Sequence, residues 1–281
     1  MTAPVFEQPW SIQPVVEFLG GRRFVALTGA GCSTESGIPD YRSPEAQKRP
    51  RNPIQYQQFV RDADMRTRYW ARSMVGWPRF SSFEPSASHA AFADMEADGP
   101  LIGVITQNVD RLHQRAGSAR VIELHGALAE VICLSCGERE SRHAFQERLL
   151  GLNPSHVSVQ GELAPDGDAE VEAGAEFRVP TCRRCLDGVV KPDVVFFGEN
   201  VPKPRVERAF AMVDEAEAML VAGSSLATYS GFRFAKHAVQ RGIPLVIINI
   251  GPTRADAAAT LKLEAPLGAA LTALSDKLHP R

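Results

Sequence analysis

The sequence predicts an α/β fold, a doubly wound parallel sheet with a smaller second unit. Three observations predict it: six short apolar runs, helix-period stretches between several of them, and two long segments that break the alternation. Runs this apolar suit strands buried on both faces, and strand alternating with helix builds a parallel sheet wrapped by helices.

Along the chain, the first run is FVALT (24–28), which ends at GAGCS (29–33). Residues 44–87 then interrupt the rhythm with Arg, Pro and aromatic residues around a helical middle at 55–74. LIGVIT (101–106) runs into QNVD (107–110), and VIEL (121–124) into His125 and Gly126. A second interruption, 131–190, holds two cysteine pairs around a Gly-, Asp- and Glu-rich stretch at 161–176. VVFF (194–197) leads to Gly198 and Glu199, and a helix-period stretch follows at 204–217. AMLVAG (218–223) runs into GSS (223–225), apolar spacings of three and four mark a helix over 231–240, and PLVIINI (244–250) ends in NIG (249–251). Ligands of open parallel sheets bind beyond the carboxyl ends of the strands, so the six tips are expected to meet at one crevice. Residues 20–43, 88–130 and 191–281 are expected to form the large sheet unit. The interruptions, 44–87 and 131–190, form the smaller unit over the crevice.

Composition narrows the function. The 281 residues are 44% hydrophobic and 23% charged, as in an ordinary globular protein. Thirty-one basic residues face 33 acidic ones, a net charge of −2, so a phosphate-neutralising surface and a nucleic-acid partner are not expected. No apolar run approaches the roughly 20 residues that cross a bilayer, so no membrane is expected. The first basic residue is Arg22, after Pro4, Pro9 and Pro14, which resembles neither a secretory signal nor a transit peptide; a cytoplasmic protein is expected. Five cysteines, four of them in tight pairs, suit a metal site in a reducing compartment better than disulfides.

Cys133-x-x-Cys136 and Cys182-x-x-Cys185 give four thiolates, the closed tetrahedral shell of one structural Zn2+. The 45 residues 137–181 between the pairs can be extruded as a loop without moving them. Gly29-Ala30-Gly31 after a strand suits either close approach to a phosphate or a tight turn, since the spacing is not GxGxxG. Cys32, with no histidine beside it in sequence, is expected to fill space. Gln107, Asn108, Asp110 and His113 follow one buried run and His125 the next, where amide and acid groups can bind a ribose or carboxamide and a histidine can take a hydroxyl proton.

GAGCSTESGIPDYRS (29–43), TQNVDRLH (106–113), ELHG (123–126), KPDVVFFGE (191–199), GSSL (223–226) and NIG (249–251) resemble the sirtuin signature set, in order, with both cysteine pairs between the histidine and KPDVVFFGE. The resemblance covers the chain from about residue 24 to its end. The long interval between cysteine pairs and the segments YWAR (69–72), LAPDGD (163–168) and INIGPTRAD (248–256) resemble the class II branch.

The resemblance implies a Rossmann-type domain and a smaller zinc-binding and helical domain, with NAD and an acylated protein lysine entering the cleft from opposite sides. It implies NAD-dependent removal of the acyl group, giving nicotinamide, O-acyl-ADP-ribose and free lysine. The acyl oxygen attacks C1′ of the nicotinamide ribose, and His125 accepts the ribose hydroxyl proton. Gly29, Ala30 and Gly31 with Gly223, Ser224 and Ser225 would hold the phosphates and adjoining ribose. Asn249, Ile250 and Gly251, with Leu267, would line the adenosine end. Gln107, Asn108, Val109 and Asp110 would bind the nicotinamide ribose and carboxamide, with Asn108 and Asp110 in catalytic roles beside His125. Asp40, Tyr41 and Arg42 would lie in the cofactor loop, where the family usually has Phe at position 41. Val195, Phe196, Gly198 and Glu199 resemble the segment that pairs with the substrate backbone as an added strand.

Tyr69 and Arg72, three apart on a helical stretch, share a face and resemble a pair by which some sirtuins bind carboxylate-bearing acyl chains. A solvated helix face with an aromatic anchor is the plainer reading of the same two residues. The alternative activity is mono-ADP-ribosyl transfer from the same NAD site. A binding module without catalysis would not require the base, and a monomer is expected.

Overall fold

The computed structural model describes residues 10–40, 53–156, 167–169, 171 and 176–278. Among these the order is α1 (Gln13–Leu19), β1 (Phe24–Thr28), α2 (Tyr56–Arg61), α3 (Ala63–Ser81), α4 (Ala87–Ala97), β2 (Leu101–Thr106), α5 (Leu112–Arg115), β3 (Val121–Glu123), β4 (Gly126–Cys133), β5 (Arg139–Ser141) and α6 (Arg142–Leu152). Then follow β6 (Val190–Val194), α7 (Lys203–Asp214), β7 (Ala218–Ala222), α8 (Tyr229–Gln240), β8 (Leu245–Ile248), β9 (Leu261–Leu263) and α9 (Leu267–Leu278).

Six strands form one parallel sheet in the order β3-β2-β1-β7-β8-β9. Every residue of β1, β2, β7 and β8 is buried, as expected of strands without a polar face. Alternation along them divides the core in two. Phe24, Ala26, Val104, Leu220 and Val246 pack with α1, α4 and α9 on one side. Val25, Leu27, Ile105, Met219 and Ile247 pack with α7 and α8 on the other. The chain builds outward from β1 to β3, then returns to the far side of β1 with β7. The order therefore reverses between β1 and β7, and the crevice opens beyond Thr28 and Ala222.

A second sheet, β5-β4-β6, is antiparallel and packs with α2, α3 and α6 around Phe59, Trp70, Met74, Val131, Phe145 and Val190. The N-terminus of α3 is fixed by Asp62, whose carboxylate accepts from the backbone of Asp64 and Met65. Arg142, fully buried on α6, lies over the rings of Trp70 and Trp77 and bonds the carbonyl and hydroxyl of Ser73. Its cation replaces some of the lost water with aromatic faces and neutral acceptors.

One expected strand moves. VVFF was expected at 194–197 as a buried strand of the large sheet; the strand is Val190–Val194, paired antiparallel to β4. Periodicity cannot separate a parallel from an antiparallel partner, and the Lys191–Pro192–Asp193 stretch hides that strand from an apolar-run search. The bounds drawn at 130/131 and 190/191 fall inside or beside β4 and β6, which belong wholly to the small sheet.

Candidate active site and cysteine centre

The loops after β1 and β7 meet backbone to backbone. Gly31 N–H donates to the Gly223 carbonyl at 2.9 Å and Gly29 N–H to that of Ala222 at 3.3 Å. A Cβ on Gly31 would stand 2.9 Å from that Gly223 oxygen, and one on Gly29 would stand 2.8 Å from Ser224 Cβ. Gly223 adopts φ +60°, and a Cβ there would stand 2.7 Å from the Cys32 nitrogen and 2.9 Å from a Leu267 methyl. At Gly31 and Gly223 glycine is required because the nearest neighbours are backbone, and this floor, where the two loops approach closely, aligns main-chain groups of the kind that receive a phosphate. Gly31→Ala is expected to weaken NAD binding at least tenfold, because a contact under 3 Å to main chain forces the two loops apart. Calorimetric titration with NAD checks this.

Around that floor stand the groups singled out in QNVD. Gln107 Nε2 donates to Ser224 Oγ at 2.7 Å and to the Thr28 carbonyl at 3.3 Å. Asn108 Nδ2 bonds the Gly29 carbonyl and Ser33 Oγ, both at 3.0 Å, and Ser33 donates to Asp110 Oδ2 at 2.7 Å. Burial raises the Asp110 carboxyl above its ordinary value, opposed by the Leu112 N–H and the Ser33 hydroxyl. Val109 is half-buried beside Phe80 and Leu112.

His125, half-buried at the end of β3, is fixed at both ring nitrogens: Nδ1 lies 2.9 Å from the Gln107 carbonyl and Nε2 2.8 Å from Ser230 Oγ. Burial lowers its pKa from 6.5 to about 4; the Gln107 carbonyl opposes the shift and the Arg233 and Arg205 charges add to it. The imidazole is therefore unprotonated at neutral pH and a weaker base than a free one.

The segment after β6 is tied to this base. Val195 N–H donates to the His125 carbonyl at 2.7 Å. Glu199 Oε2 accepts from Phe196 N–H at 2.9 Å and from buried Lys191 at 3.1 Å, and Lys191 also donates to the Val194 carbonyl. Gly198, at φ +80°, turns the chain. The Phe196 ring packs 5.2 Å from both Phe59 and Tyr69. Tyr69 is thus brought beside the segment expected to receive substrate, whereas Arg72 spends its Nε on the Ala169 carbonyl at 3.1 Å. At the other end of the crevice Asn249 bonds the Leu263 carbonyl through its backbone N–H and the Ile250 carbonyl through its side chain; Ile250 is exposed and Gly251 lies at φ +81°. Ser225 accepts from Arg254 N–H at 2.9 Å. Asp40 is the last residue described before a gap; Tyr41 and Arg42 lie outside the described residues.

Sequence reasoning missed Ser33, Thr228, Ser230, Arg205 and Arg233. Ser33 could have been found as the first hydroxyl after the glycine loop. Ser230, 105 residues from His125, gave no signal.

The four paired cysteines converge. Cys133 and Cys185 Sγ lie 3.6 Å apart, as do Cys136 and Cys182, and all four lie within 4.8 Å of one another. A zinc ion with about 2.3 Å bonds to sulfur needs tetrahedral edges of about 3.8 Å, so the set fits one Zn2+ with small adjustment. Gly188 must lack a side chain, since a Cβ would stand 2.4 Å from Cys133 Sγ. Backbone N–H groups of Cys185 and Arg184 lower the Cys182 thiol, whereas burial pushes the Cys185 thiol up, so one of the four is the first to ionise.

A second group, Cys32, His89 and His113, also lies within 4.8 Å and is buried. It does not suit a cation. Ser86 N–H donates to His89 Nδ1 at 3.1 Å, so the hydrogen of the neutral ring sits on Nε2 and that nitrogen is not a ligand. Burial instead lowers His89 to about 4 and His113 to about 3. Unfolded histidine takes a proton near 6.5, so below that pH the unfolded chain binds more protons and stability falls with pH. Each ring contributes about 1.4 kcal/mol per pH unit, and the two together about 2.7, in the window from about pH 6 to 4. Urea midpoints across that window are expected to fall steadily, and a flat profile would contradict the assignment.

The order of the parallel sheet reverses at the crevice where strand-tip amides and an unprotonated histidine meet, the place and chemistry of a nucleotide-using enzyme on a Rossmann-type sheet. Comparison with known proteins makes the class specific. The Sir2 family profile matches residues 29–230, and the chain belongs to the Sir2 family, the sirtuins. It is 50% identical to NAD-dependent protein deacetylase 1 of Mycobacterium avium, with 95% of each chain covered. It is also 50% identical to the mitochondrial NAD-dependent protein lipoamidase sirtuin-4 of Bos taurus, over 88% of this chain and 80% of that one. A solved Sir2 complex with a p53 peptide and NAD+ superposes with a TM-score of 0.73 at 31% identity, over 95% of this chain and 96% of the other.

Proposed function

We propose that the protein removes acyl groups from protein lysine with NAD as co-substrate, releasing nicotinamide, O-acyl-ADP-ribose and free lysine. The observation that carries this is His125, unprotonated and held by Gln107 and Ser230 at the tip of β3, between the glycine floor and the 195–199 segment. NAD supplies the reactive C1′; the chain supplies position and proton transfer. Gly29, Ala30, Gly31, Gly223, Ser224 and Ser225 cradle the phosphates, and Asn249, Ile250, Gly251 and Leu267 the adenosine. Gln107, Asn108, Val109 and Asp110 orient the nicotinamide ribose and carboxamide, and Asp40, Tyr41 and Arg42 are assigned to the cofactor loop, Tyr41 and Arg42 on their sequence alone. His125 Nε2 accepts the ribose hydroxyl proton. The segment of Val195, Phe196, Gly198 and Glu199 receives the peptide; the N–H groups of Val195, Phe196 and Glu199 are already bonded within the protein, so pairing falls to the segment's carbonyls and the Gly198 N–H.

Residues 20–43, 88–130 and 191–281, less the parts of β4 and β6 that lie in the small sheet, serve as the NAD-binding domain, and 44–87 with 131–190 and those strands as the small domain, held by one structural zinc on Cys133, Cys136, Cys182 and Cys185. The class II branch is supported by the 45-residue interval 137–181 and the YWAR segment. A monomer in a reducing cytoplasm, without a nucleic-acid partner, fits the free thiols and balanced charge. No helix among the described residues is long and apolar enough to cross a membrane.

Tyr69 and Arg72 are assigned to the acyl end, the contact of Tyr69 with Phe196 being what supports it. Tyr69 reaches it through Phe196, and Arg72 would meet a carboxylate with the guanidinium nitrogens not bonded to Ala169. The test is nicotinamide release on acetyl-, propionyl-, succinyl-, methylglutaryl-, lipoyl- and long-chain acyl-lysine peptides. Arg72→Ala is expected to lower turnover of the carboxylate-bearing peptides at least tenfold relative to acetyl. An equal response on every acyl group removes Arg72 from the site. Labelled ADP-ribose transferred to protein, with no acyl-dependent release, would replace deacylation by ADP-ribosyl transfer.

A further inference from the structure

Ser230 and Thr228 belong to no motif, yet they continue the hydrogen bonding of His125. The Gln107 carbonyl is an acceptor only, so His125 Nδ1, 2.9 Å away, carries a hydrogen and Nε2 of the neutral ring is a bare lone pair. Nε2 must then accept from Ser230 Oγ at 2.8 Å. The Gln107 side chain is oriented by its Nε2 donations to Ser224 and Thr28, leaving Oε1 to accept from Thr228 Oγ1 at 3.3 Å. Thr228 has spent its one hydrogen and offers only lone pairs to Ser230, 3.2 Å away. Two acceptors, Nε2 and Thr228 Oγ1, therefore compete for the single Ser230 hydrogen. While the ring is neutral, Thr228 goes without. When a proton arrives on Nε2, the ring donates to Ser230, the Ser230 hydroxyl turns to Thr228, and every group in the chain is bonded.

We propose that Ser230, backed by Thr228 and Gln107, is a positioning residue that favours the protonated form of His125, the form created when the base takes the ribose proton. The inference rests on the assignment of His125 as that base. In the step, Ser230 turns its hydrogen from Nε2 to Thr228 and so frees the lone pair. The ribose O–H bond breaks, an N–H bond forms at Nε2, and that new hydrogen is then accepted by Ser230 Oγ; Ser230 itself neither gains nor loses a proton. The charged groups acting on the ring are Arg233 on α8 and Arg205 on α7, and both oppose its protonation, with Arg205 partly offset by Asp193 at 2.9 Å. Among the described residues no carboxylate is hydrogen-bonded to the imidazole. The hydroxyl chain stands where such a carboxylate would, stabilising a charge that exists only after proton transfer.

The test measures kcat, KM for NAD and for acetyl-lysine peptide, and the pH profile of kcat for wild type, Ser230→Ala, Ser230→Thr and Thr228→Val, with His125→Ala alongside. Ser230→Ala and Thr228→Val are expected to lower kcat about tenfold with both KM values within about twofold, and to move the acid limb to lower pH. Ser230→Thr is expected to retain most of kcat. Thr228→Val keeps Ser230 in place, so a merely structural Ser230 predicts wild-type kcat there. Unchanged kcat in both variants, or a loss that follows Tm with the acid limb unmoved, overturns the role. Full turnover in His125→Ala overturns the base assignment and this role with it; an inactive His125→Ala beside an unaffected Ser230→Ala overturns the role alone.

Discussion

His125→Ala is expected to lower acyl-dependent nicotinamide release by about 10²–10⁴-fold, the usual contribution of a positioned general base. The loss is expected in kcat rather than in NAD affinity. The glycine floor, Gln107, Asn108 and Ser224 bond one another or the main chain, and only the Gln107 carbonyl and the Ser230 hydroxyl lose a partner when the imidazole is cut away. His125 is half-buried, so truncation opens a polar hollow that water can enter, and the fold is expected to survive. The measurement is nicotinamide release on the acyl-peptide panel, with NAD affinity and Tm for each protein. Turnover within threefold of wild type would remove His125 from the chemistry. Loss of turnover together with loss of NAD binding would make it a binding residue.

The large sheet was legible because β1, β2, β7 and β8 are buried on both faces, and a strand with no polar face must be written almost wholly in apolar letters. What escaped has a physical reason in each case. β4 is half-buried along part of its length, with Glu130 exposed enough to pair with Arg111 and Arg139, so its apolar run is broken. β6 contains Lys191 and Asp193, one buried against Glu199 and the other paired with Arg139 and Arg205; ion pairs inside a strand erase its pattern. The strand-tip residues of the site were legible by their position after apolar runs, and the cysteines by spacing alone. Ser230 was not, since a serine that completes a hydrogen-bond chain is written like any surface serine; Ser33 offered only its place as the first hydroxyl after the glycine loop.

Cys136→Ser is expected to abolish stoichiometric zinc binding and to release the small sheet while the parallel sheet stays folded. Four thiolates share the ion, so the loss of one leaves an open shell, and structural zinc in small units is worth on the order of 10 kcal/mol of folding energy at neutral pH. The consequence reaches the active site along the chain. Cys133 closes β4 and pairs in register with Val190, which opens β6. Four residues further on, β6 ends at Val194, and the next N–H, that of Val195, holds the His125 carbonyl. Cutting the metal tie therefore frees the strand that positions both the peptide-receiving segment and the backbone of the base. NAD affinity is expected to stay within a few-fold, because the loops after β1 and β7 belong to the other sheet. Peptide turnover is expected to fall to background, and limited proteolysis is expected to cut within 131–190 first. Metal analysis, NAD titration and turnover on one preparation decide it. One bound zinc with unchanged turnover would mean that Cys136 is not a ligand, whereas loss of zinc with intact turnover would mean that β6 holds its register without the metal.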